Sequence, residues 1–313
     1  MTAATTVGYG PLQPVDGPPP EAPKYGLLQA TNVAGSQVRL VVETQDRWGN
    51  GVDVWPYPQG GVETFDPALT GTSATPKGYG EDDLDRQVVA PFVTVFADIC
   101  TVASMSAGGK LSPERFRARQ VAVLGAVEGA GVEFELLNGA QVPANQHLAD
   151  GVGNFPMGNT PTSVLNGLAL LEMEVARSGR RGVIHMSPQL ATFLSANYIV
   201  FDDGGLLHTV NGTTVIPGYG YVDGATPEGH TPPVAWEEWM YATGPVDIRR
   251  SDVFTVPDTL AEAIDRGTGG ATEGRPNTFT YLVERYYLVD YDEVIKAAVL
   301  VDRCSTDCGT QPS

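Results

Sequence analysis

The longest coherent hydrophobic pattern in the chain runs from Ser112 to Gly139, SPERFRARQVAVLGAVEGAGVEFELLNG. Ser112 offers a side-chain acceptor to the free amides of a first helical turn. Pro113 sits where its missing N–H costs nothing, and Glu114 faces the positive end of the dipole. Phe116, Val123, Leu124 and Val127 recur at spacings that place them on one broad face, with Arg115, Arg117 and Arg119 largely outside it. Gly129 and Gly131 weaken a helix interior by roughly 1 kcal/mol each relative to alanine. The apolar pattern resumes at Val132, Phe134, Leu136 and Leu137, and Asn138-Gly139 supplies a left-handed stop. The spacing therefore predicts one helix over 112–138, roughly 37 Å long at 1.5 Å per residue.

Shorter patterns surround it. Val38–Thr44 reads as a strand, and Ala90–Met105 as a buried strand followed by a turn. Ser163–Ser178 is an amphipathic helix capped by Ser163 and closed by Gly179, and Gly182–Met186 is a strand. Ser187-Pro188 starts a short helix to about Ser195. Asp202-Asp203-Gly204-Gly205 is turn chemistry, and Asn211-Gly212 between two apolar runs reads as a hairpin with a two-residue turn. Trp236–Thr243 leads into a strand at Val246–Arg250, and Val256–Arg266 reads as a short helix. Thr278–Tyr291 is a long β-rich run. Asp292–Val301 reads as a further strand, although its pattern also permits a helix.

Between these lie segments of another kind. Residues 1–26 hold Pro11, Pro14, Pro18, Pro19, Pro20 and Pro23, which exclude a helix and make an extended arm. Residues 46–88 mix seven glycines and four prolines with Trp48, Trp55, Tyr57, Phe65 and Tyr79. A structureless run of that length is uncommon inside a compact domain. The aromatics argue for a projecting hairpin that packs on something outside its own domain, the alternative being a ligand lid. Residues 141–161, 223–233 and 267–276 are Gly/Pro-rich loops.

The chain has 313 residues, enough for two compact units, and 42% of them are hydrophobic. No apolar run is long enough to cross a membrane, and residues 1–26 carry no basic n-region or apolar h-region, so no secretion signal is expected. The net charge is −18. That excludes a reader of nucleic acid with a basic stripe, although an acidic protein suits a place beside DNA that it must not hold tightly. Three cysteines, Cys100, Cys304 and Cys308, point to reduced thiols. His147, His185, His208 and His230 form no ligand spacing, and His185 reads as a satisfied core histidine. Gly218-Tyr219-Gly220 reads as a turn and not a phosphate cradle. Cys304 and Cys308 lack a third ligand nearby. Glu237/Glu238 and Glu172/Glu174 read as solvated acidic faces, and Asn211-Gly212-Thr213 as a sequon without consequence in a chain that is not exported. No catalytic, cofactor-binding or metal-ligating set is expected, and the chain is not expected to be an enzyme.

The order of these parts carries a resemblance. An arm, a projecting hairpin, a buried strand and a long helix ending in Glu135-Leu136-Leu137-Asn138-Gly139 come first. The Ser163–Ser178 helix, a strand entering Ser187-Pro188 and a hairpin ending in Val215-Ile216-Pro217-Gly218 follow. The chain closes with Val246-Asp247-Ile248-Arg249-Arg250 and VERYYLVDYDEVIKAAVLVD. This resembles the major capsid proteins of tailed bacteriophages with the Hong Kong 97-like fold, an α+β fold shared with encapsulins, over about residues 30–303.

The resemblance implies an N-terminal arm at 1–37, and a strand with an extended E-loop at 38–88. It implies a discontinuous peripheral domain at 89–139 and 246–291 with its spine helix at 112–138. An axial domain at 140–245 and 292–303 and a C-terminal tail at 304–313 complete the chain. Arms that cannot bury themselves alone would be ordered by neighbours, and symmetric closure would sum many weak contacts. The implied function is a virion shell assembled in the host cytoplasm as hexamers and pentamers around double-stranded DNA. Its partners would be other copies of the chain, a portal at one vertex, packaged DNA without sequence-specific contacts and, on some shells, a decoration protein. The type member carries an N-terminal scaffold region. The 37 residues before the first strand here are too few for one, which implies a separate scaffolding protein. The type member also cross-links an E-loop lysine to a neighbour's asparagine. Lys77, in an exposed Thr-Pro-Lys-Gly context, lacks the burial that would make it nucleophilic, so a non-covalent shell is expected. An encapsulin-like compartment enclosing cargo enzymes is the alternative, and a soluble enzyme with a lid at 46–88 the third reading.

Overall fold

The computed structural model describes residues 20–43, 52–54, 87–89, 92–101, 113–151, 153–221, 226–234, 236–256 and 278–303. The elements in chain order are α1 (Leu27–Ala30), β1 (Val38–Glu43), β2 (Val52–Val54), β3 (Gln87–Val89), β4 (Phe92–Thr101), α2 (Pro113–Asn138), β5 (Thr162–Ser163) and α3 (Val164–Ser178). Then follow β6 (Val183–Met186), α4 (Pro188–Ala196), β7 (Val200–Asp203), β8 (Leu206–Thr209), β9 (Thr214–Pro217), a 3-10 turn at Tyr219–Tyr221, β10 (Glu237–Thr243), β11 (Val246–Ser251), β12 (Phe254–Val256), β13 (Thr278–Tyr291) and β14 (Lys296–Asp302). The chain divides into two compact units. One holds Val95–Val127 and Val253–Glu284 with the N-terminal residues to Ala22; the other holds Pro23–Thr94, Glu128–Asp252 and Arg285 onward.

The strands form three sheets. Five strands are joined in the order β1-β11-β13-β12, with β4 also on β13; seven run β5-β14-β10-β6-β9-β8-β7; β2 and β3 make an antiparallel pair. That pair, with Val52 opposite Val89, brackets residues 55–86, which lie outside the described residues, as do Lys77, the arm at 1–19, residues 267–276 and the two C-terminal cysteines.

The seven-stranded sheet is apolar on both faces because most of its strands lie between covering layers. On β10, Trp239 and Tyr241 join one core with Leu27, Val132, Leu136, Leu137, Ile248 and Tyr287. The alternate residues Met240 and Ala242 join a second core with Leu168, Leu171, Val175, Leu190 and Leu194 of α3 and α4. The same alternation holds on β14, where Ala298 and Leu300 face the first core, and Ala297, Val299 and Val301 the second. Strands that read as continuous apolar runs are thus buried on both sides, as the period-two geometry requires. Gly167 lets α3 lie directly on β14, since a Cβ there would overlap Val301 Cγ1.

The helix starts and stops follow the sequence chemistry. Ser163 Oγ accepts from Asn166 N–H and Ser187 Oγ from Leu190 N–H, each at 3.3 Å. Gly139 and Gly179 close α2 and α3 in the left-handed region. Beyond Gly139 the chain turns back so that Leu148 and Ala149 donate to the Leu136 and Leu137 carbonyls. The Glu135 carboxylate accepts from the Gln141 and Val142 amides. These contacts satisfy groups that a helix end leaves open.

Four expectations need correction. Val127 and Phe134 do not lie on the buried face of α2; they are 54% and 46% exposed. The two-residue turn is at Gly204-Gly205, both with positive φ between paired Asp203 and Leu206. Asn211-Gly212 belongs instead to a three-residue loop, in which Thr209 N–H bonds to the Thr213 carbonyl and Gly212 takes the left-handed position. Val256 ends a short strand on β13 and does not begin a helix; residues 257–266 lie outside the described residues. The acidic pairs are not solvated faces, as described next. Asp292–Val301 resolves to a strand preceded by a turn.

Candidate functional site

Among the described residues, most of the titratable groups singled out in the sequence are spent on packing. On β6, His185 is fully buried. Its Nδ1 lies 3.0 Å from Tyr221 Oη and its Nε2 2.9 Å from Thr243 Oγ1. Thr243 Oγ1 itself donates to the Gly244 carbonyl, so Nε2 carries the ring proton and Nδ1 accepts. Burial pushes the imidazole down to about 3, which keeps it neutral. His230 is a ring in an aromatic stack, 4.0 Å from Phe155 and edge-on to Trp239, with Nδ1 2.8 Å from Asn159 Oδ1. His147 contacts the Asn145 carbonyl.

The acidic pairs act as ties. Glu172 on α3 accepts from the hydroxyls of Thr209 and Thr213, holding the β8–β9 hairpin. Glu174 binds Asn154 and Arg177. Glu238 is buried on β10 because that strand is covered on both faces, and burial raises its pKa against Ser187 and Arg303.

Sequence reading missed the carboxylates on the C-terminal half of α2. Glu128 pairs with Arg285. Glu133, buried beneath Tyr219–Tyr221, accepts from Leu27 N–H at 2.8 Å and from Gly220 N–H at 3.0 Å. Gly218-Tyr219-Gly220 is thus an anion-facing turn whose anion is the chain's own side chain. Gly220 is required there, since a Cβ would overlap the backbone of Ala130 and Phe134. Burial raises Glu133 to about 7, and the amides of Gly220, Leu27 and Tyr219 offset only part of that cost. The signal was available: Glu133 and Glu135 stand within Val-Glu-Phe-Glu-Leu-Leu, the most apolar part of the helix.

Several aromatic side chains remain outward. Tyr198, Phe201, Tyr219 and Trp236 are exposed, and Tyr198 and Trp236 hold positive φ of 58° and 78°. Arg39 forms a two-pronged bond to Asp247, its neighbour across the parallel β1–β11 pair. Lys24 and Tyr25 both donate to Asp202 on β7, fixing the chain before α1 to that hairpin. No described helix is long and apolar enough to cross a membrane.

No protein-family model matches the chain, and no curated protein does. Solved structures match its fold. The capsid of an empty GTA particle, computed with C5 symmetry, aligns over 96% of this chain and 97% of its own with a TM-score of 0.52 and 11% identity. The acid-stable capsid of Helicobacter pylori bacteriophage KHP30 aligns over 95% of each chain with a TM-score of 0.50 and 9% identity. An encapsulin complex of Synechococcus elongatus PCC 7942 covers 72% of this chain and 78% of that one at a TM-score of 0.44 and 12% identity. The resemblance drawn from the order of sequence elements therefore holds at the level of fold: the chain has a capsid-type α+β fold.

Proposed function

We propose that this chain is the major capsid protein of a tailed DNA bacteriophage, assembling as hexamers and pentamers into the icosahedral head. The observation that carries the reading is the agreement in fold with the GTA and KHP30 capsids over nearly the whole length of each chain. In this reading α2 is the spine of a peripheral domain at 89–139 and 246–291. The seven-stranded sheet with α3 and α4 belongs to an axial domain at 140–245 and 292–303. Residues 1–37 are an arm, and β2 and β3 are the base of an E-loop within 38–88. The chain is a structural subunit and not an enzyme, built in the host cytoplasm with a separate scaffolding protein and a portal. The net charge of −18 fits a wall that encloses DNA without gripping it.

Negative-stain imaging of the purified chain, alone and co-expressed with its scaffold, tests the reading, together with nuclease protection of mature particles. Closed isometric shells with protected DNA are expected. Shells holding a co-purifying enzyme in place of DNA would mark an encapsulin-like compartment, and a monomer under all conditions would overturn both.

A further inference from the structure

Four asparagines of the chain stand directly before a glycine: Asn50, Asn138, Asn166 and Asn211. Such a pair can close on itself. With no Cβ to shield it, the glycine nitrogen can attack the asparagine Cγ and form a succinimide ring. The backbone must be free to turn for this, and the fold treats the described pairs differently. Asn138 ends α2, where its Nδ2 donates to the Phe134 carbonyl at 3.0 Å and Gly139 N–H to the Glu135 carbonyl at 2.8 Å. Gly139 is buried against His147. Asn166 lies in the first turn of α3, where its Nδ2 donates to Thr162 Oγ1 at 2.7 Å and Gly167 is buried against Val301. Ring closure at either place would open a helical turn and lift a packed glycine. Asn50 lies outside the described residues. Asn211-Gly212 is the tip of the β8–β9 loop. Both residues are exposed, and the Asn211 side-chain amide meets no partner among the described residues. A Cβ on Gly212 would meet nothing within 4 Å. The Gly212 N–H bonds to the Thr209 carbonyl at 2.9 Å, but a single bond at an exposed loop tip opens at small cost.

We propose that Asn211 is a site of spontaneous covalent modification, closing on Gly212 and reopening as aspartate or isoaspartate. A bond forms from the Gly212 nitrogen to the Asn211 Cγ, and the Cγ–Nδ2 bond breaks. Ammonia leaves, taking the proton given up by the Gly212 amide. Water then opens the ring. Attack at the side-chain carbonyl gives aspartate. Attack at the backbone carbonyl gives isoaspartate, whose main chain runs through the former side chain and is longer by one carbon. The step needs only the folded subunit, whatever it assembles into. The surroundings give isoaspartate a consequence. Thr209 Oγ1 accepts from Asn211 N–H at 3.3 Å and from Thr213 N–H at 3.2 Å, and it donates to Glu172 on α3. Thr213 Oγ1 donates to the same carboxylate at 2.8 Å. The loop thus holds α3 through two hydroxyls. A main chain lengthened between Asn211 and Gly212 cannot keep the Asn211, Gly212 and Thr213 amides on Thr209 together, so the tie to Glu172 loosens. An ordinary aspartate leaves the loop length unchanged.

The test uses the full chain carrying Asn50→Gln, so that the pair outside the described residues does not contribute. It is incubated at pH 8, labelled with an isoaspartyl methyltransferase and mapped by peptide mass spectrometry. Isoaspartate is expected at position 211, with roughly tenfold less at Asn138 and Asn166, where a helical turn must open first. Asn211→Gln should remove the signal. The same chain in urea should gain isoaspartate at all three positions, because there the chemistry is open to each. A folded chain that stays unmodified at position 211 while the chain in urea is modified there would overturn the proposal. So would equal modification of the three asparagines in the folded chain. Folded chain carrying isoaspartate should melt lower by roughly 2 °C or more. Asn211→Asp adds the charge without lengthening the loop and should melt within roughly 1 °C of the parent. Equal melting of the isoaspartate form and the parent would overturn the coupling to Glu172.

Discussion

At the residue scale the interior carries more carboxylates than its partners neutralise. Burial is the leading cause of raised pKa values at Glu128, Glu238, Asp290 and Glu133, with Asp290 pushed up to about 6 and Glu133 up to about 7. Each folded-state value lies above its unfolded one, so the folded chain binds extra protons in the window between them. Stability from Glu133 is fully present below about pH 4.5 and is lost as pH rises through about 7, a change of about 3 kcal/mol. Urea unfolding of the chain at pH 5 and pH 8 should show a higher midpoint at pH 5. Glu133→Gln should flatten that difference. At pH 5 it should cost roughly 1–3 kcal/mol, because an amide NH2 then faces a backbone N–H. A variant as pH-sensitive as the parent would move the effect to the other three acids. The sequence places Glu133 inside an apolar run but does not show what it meets. Local spacing predicts which face a residue occupies, whereas the partners of Glu133 come from Leu27 and Gly220, far away in the chain.

The elements were legible where the signals are local: the Ser caps, the left-handed glycines, and the period-two strands. Helix α2 shows where that fails. Six of its buried residues, Phe116, Gln120, Leu124, Glu128, Val132 and Leu136, recur every four positions, and Glu133, Glu135 and Leu137 are buried beside that line near its end. A four-residue step turns about 40° too far for a straight stripe, so the buried line winds around the helix. An apolar-face reading tuned to 3.6 residues therefore kept Val127 and Phe134 and missed Gln120 and Glu128. The loop length at Asn211-Gly212 escapes the sequence for a related reason: Asn-Gly and Gly-Gly both favour tight turns, and only strand register decides which closes in two residues. Leu124, 1% exposed, and Val127 make the contrast measurable. Leu124→Ala should cost roughly 2–5 kcal/mol and reduce soluble yield. Val127→Ala should stay within about 0.5 kcal/mol. Equal losses in thermal unfolding would mean the winding line is wrongly placed.

At the scale of the whole molecule, the question is what would hold a shell of such subunits together. A covalent seal between copies needs an unprotonated amine that can reach a neighbour. The chain has four lysines, Lys24, Lys77, Lys110 and Lys296. Lys24 is held by Asp202, and that hydrogen bond raises its pKa, which keeps the amine charged and unreactive. Lys296 has its pKa lowered by burial, but it is paired with Asp150 inside the subunit and its side chain is 8% exposed, so no neighbour can reach it. Lys77 and Lys110 lie outside the described residues, and Lys77 sits in a polar, turn-forming context that favours the ordinary protonated amine. If the chain builds a shell as proposed, its assembly depends on many weak contacts summed by closure. Mature particles boiled in detergent should run as one band near 33.2 kDa. They should also loosen in high salt, because contacts between exposed charges are screened there. A ladder of multiples that survives boiling and disappears in Lys77→Ala would show that this shell is sealed by covalent bonds.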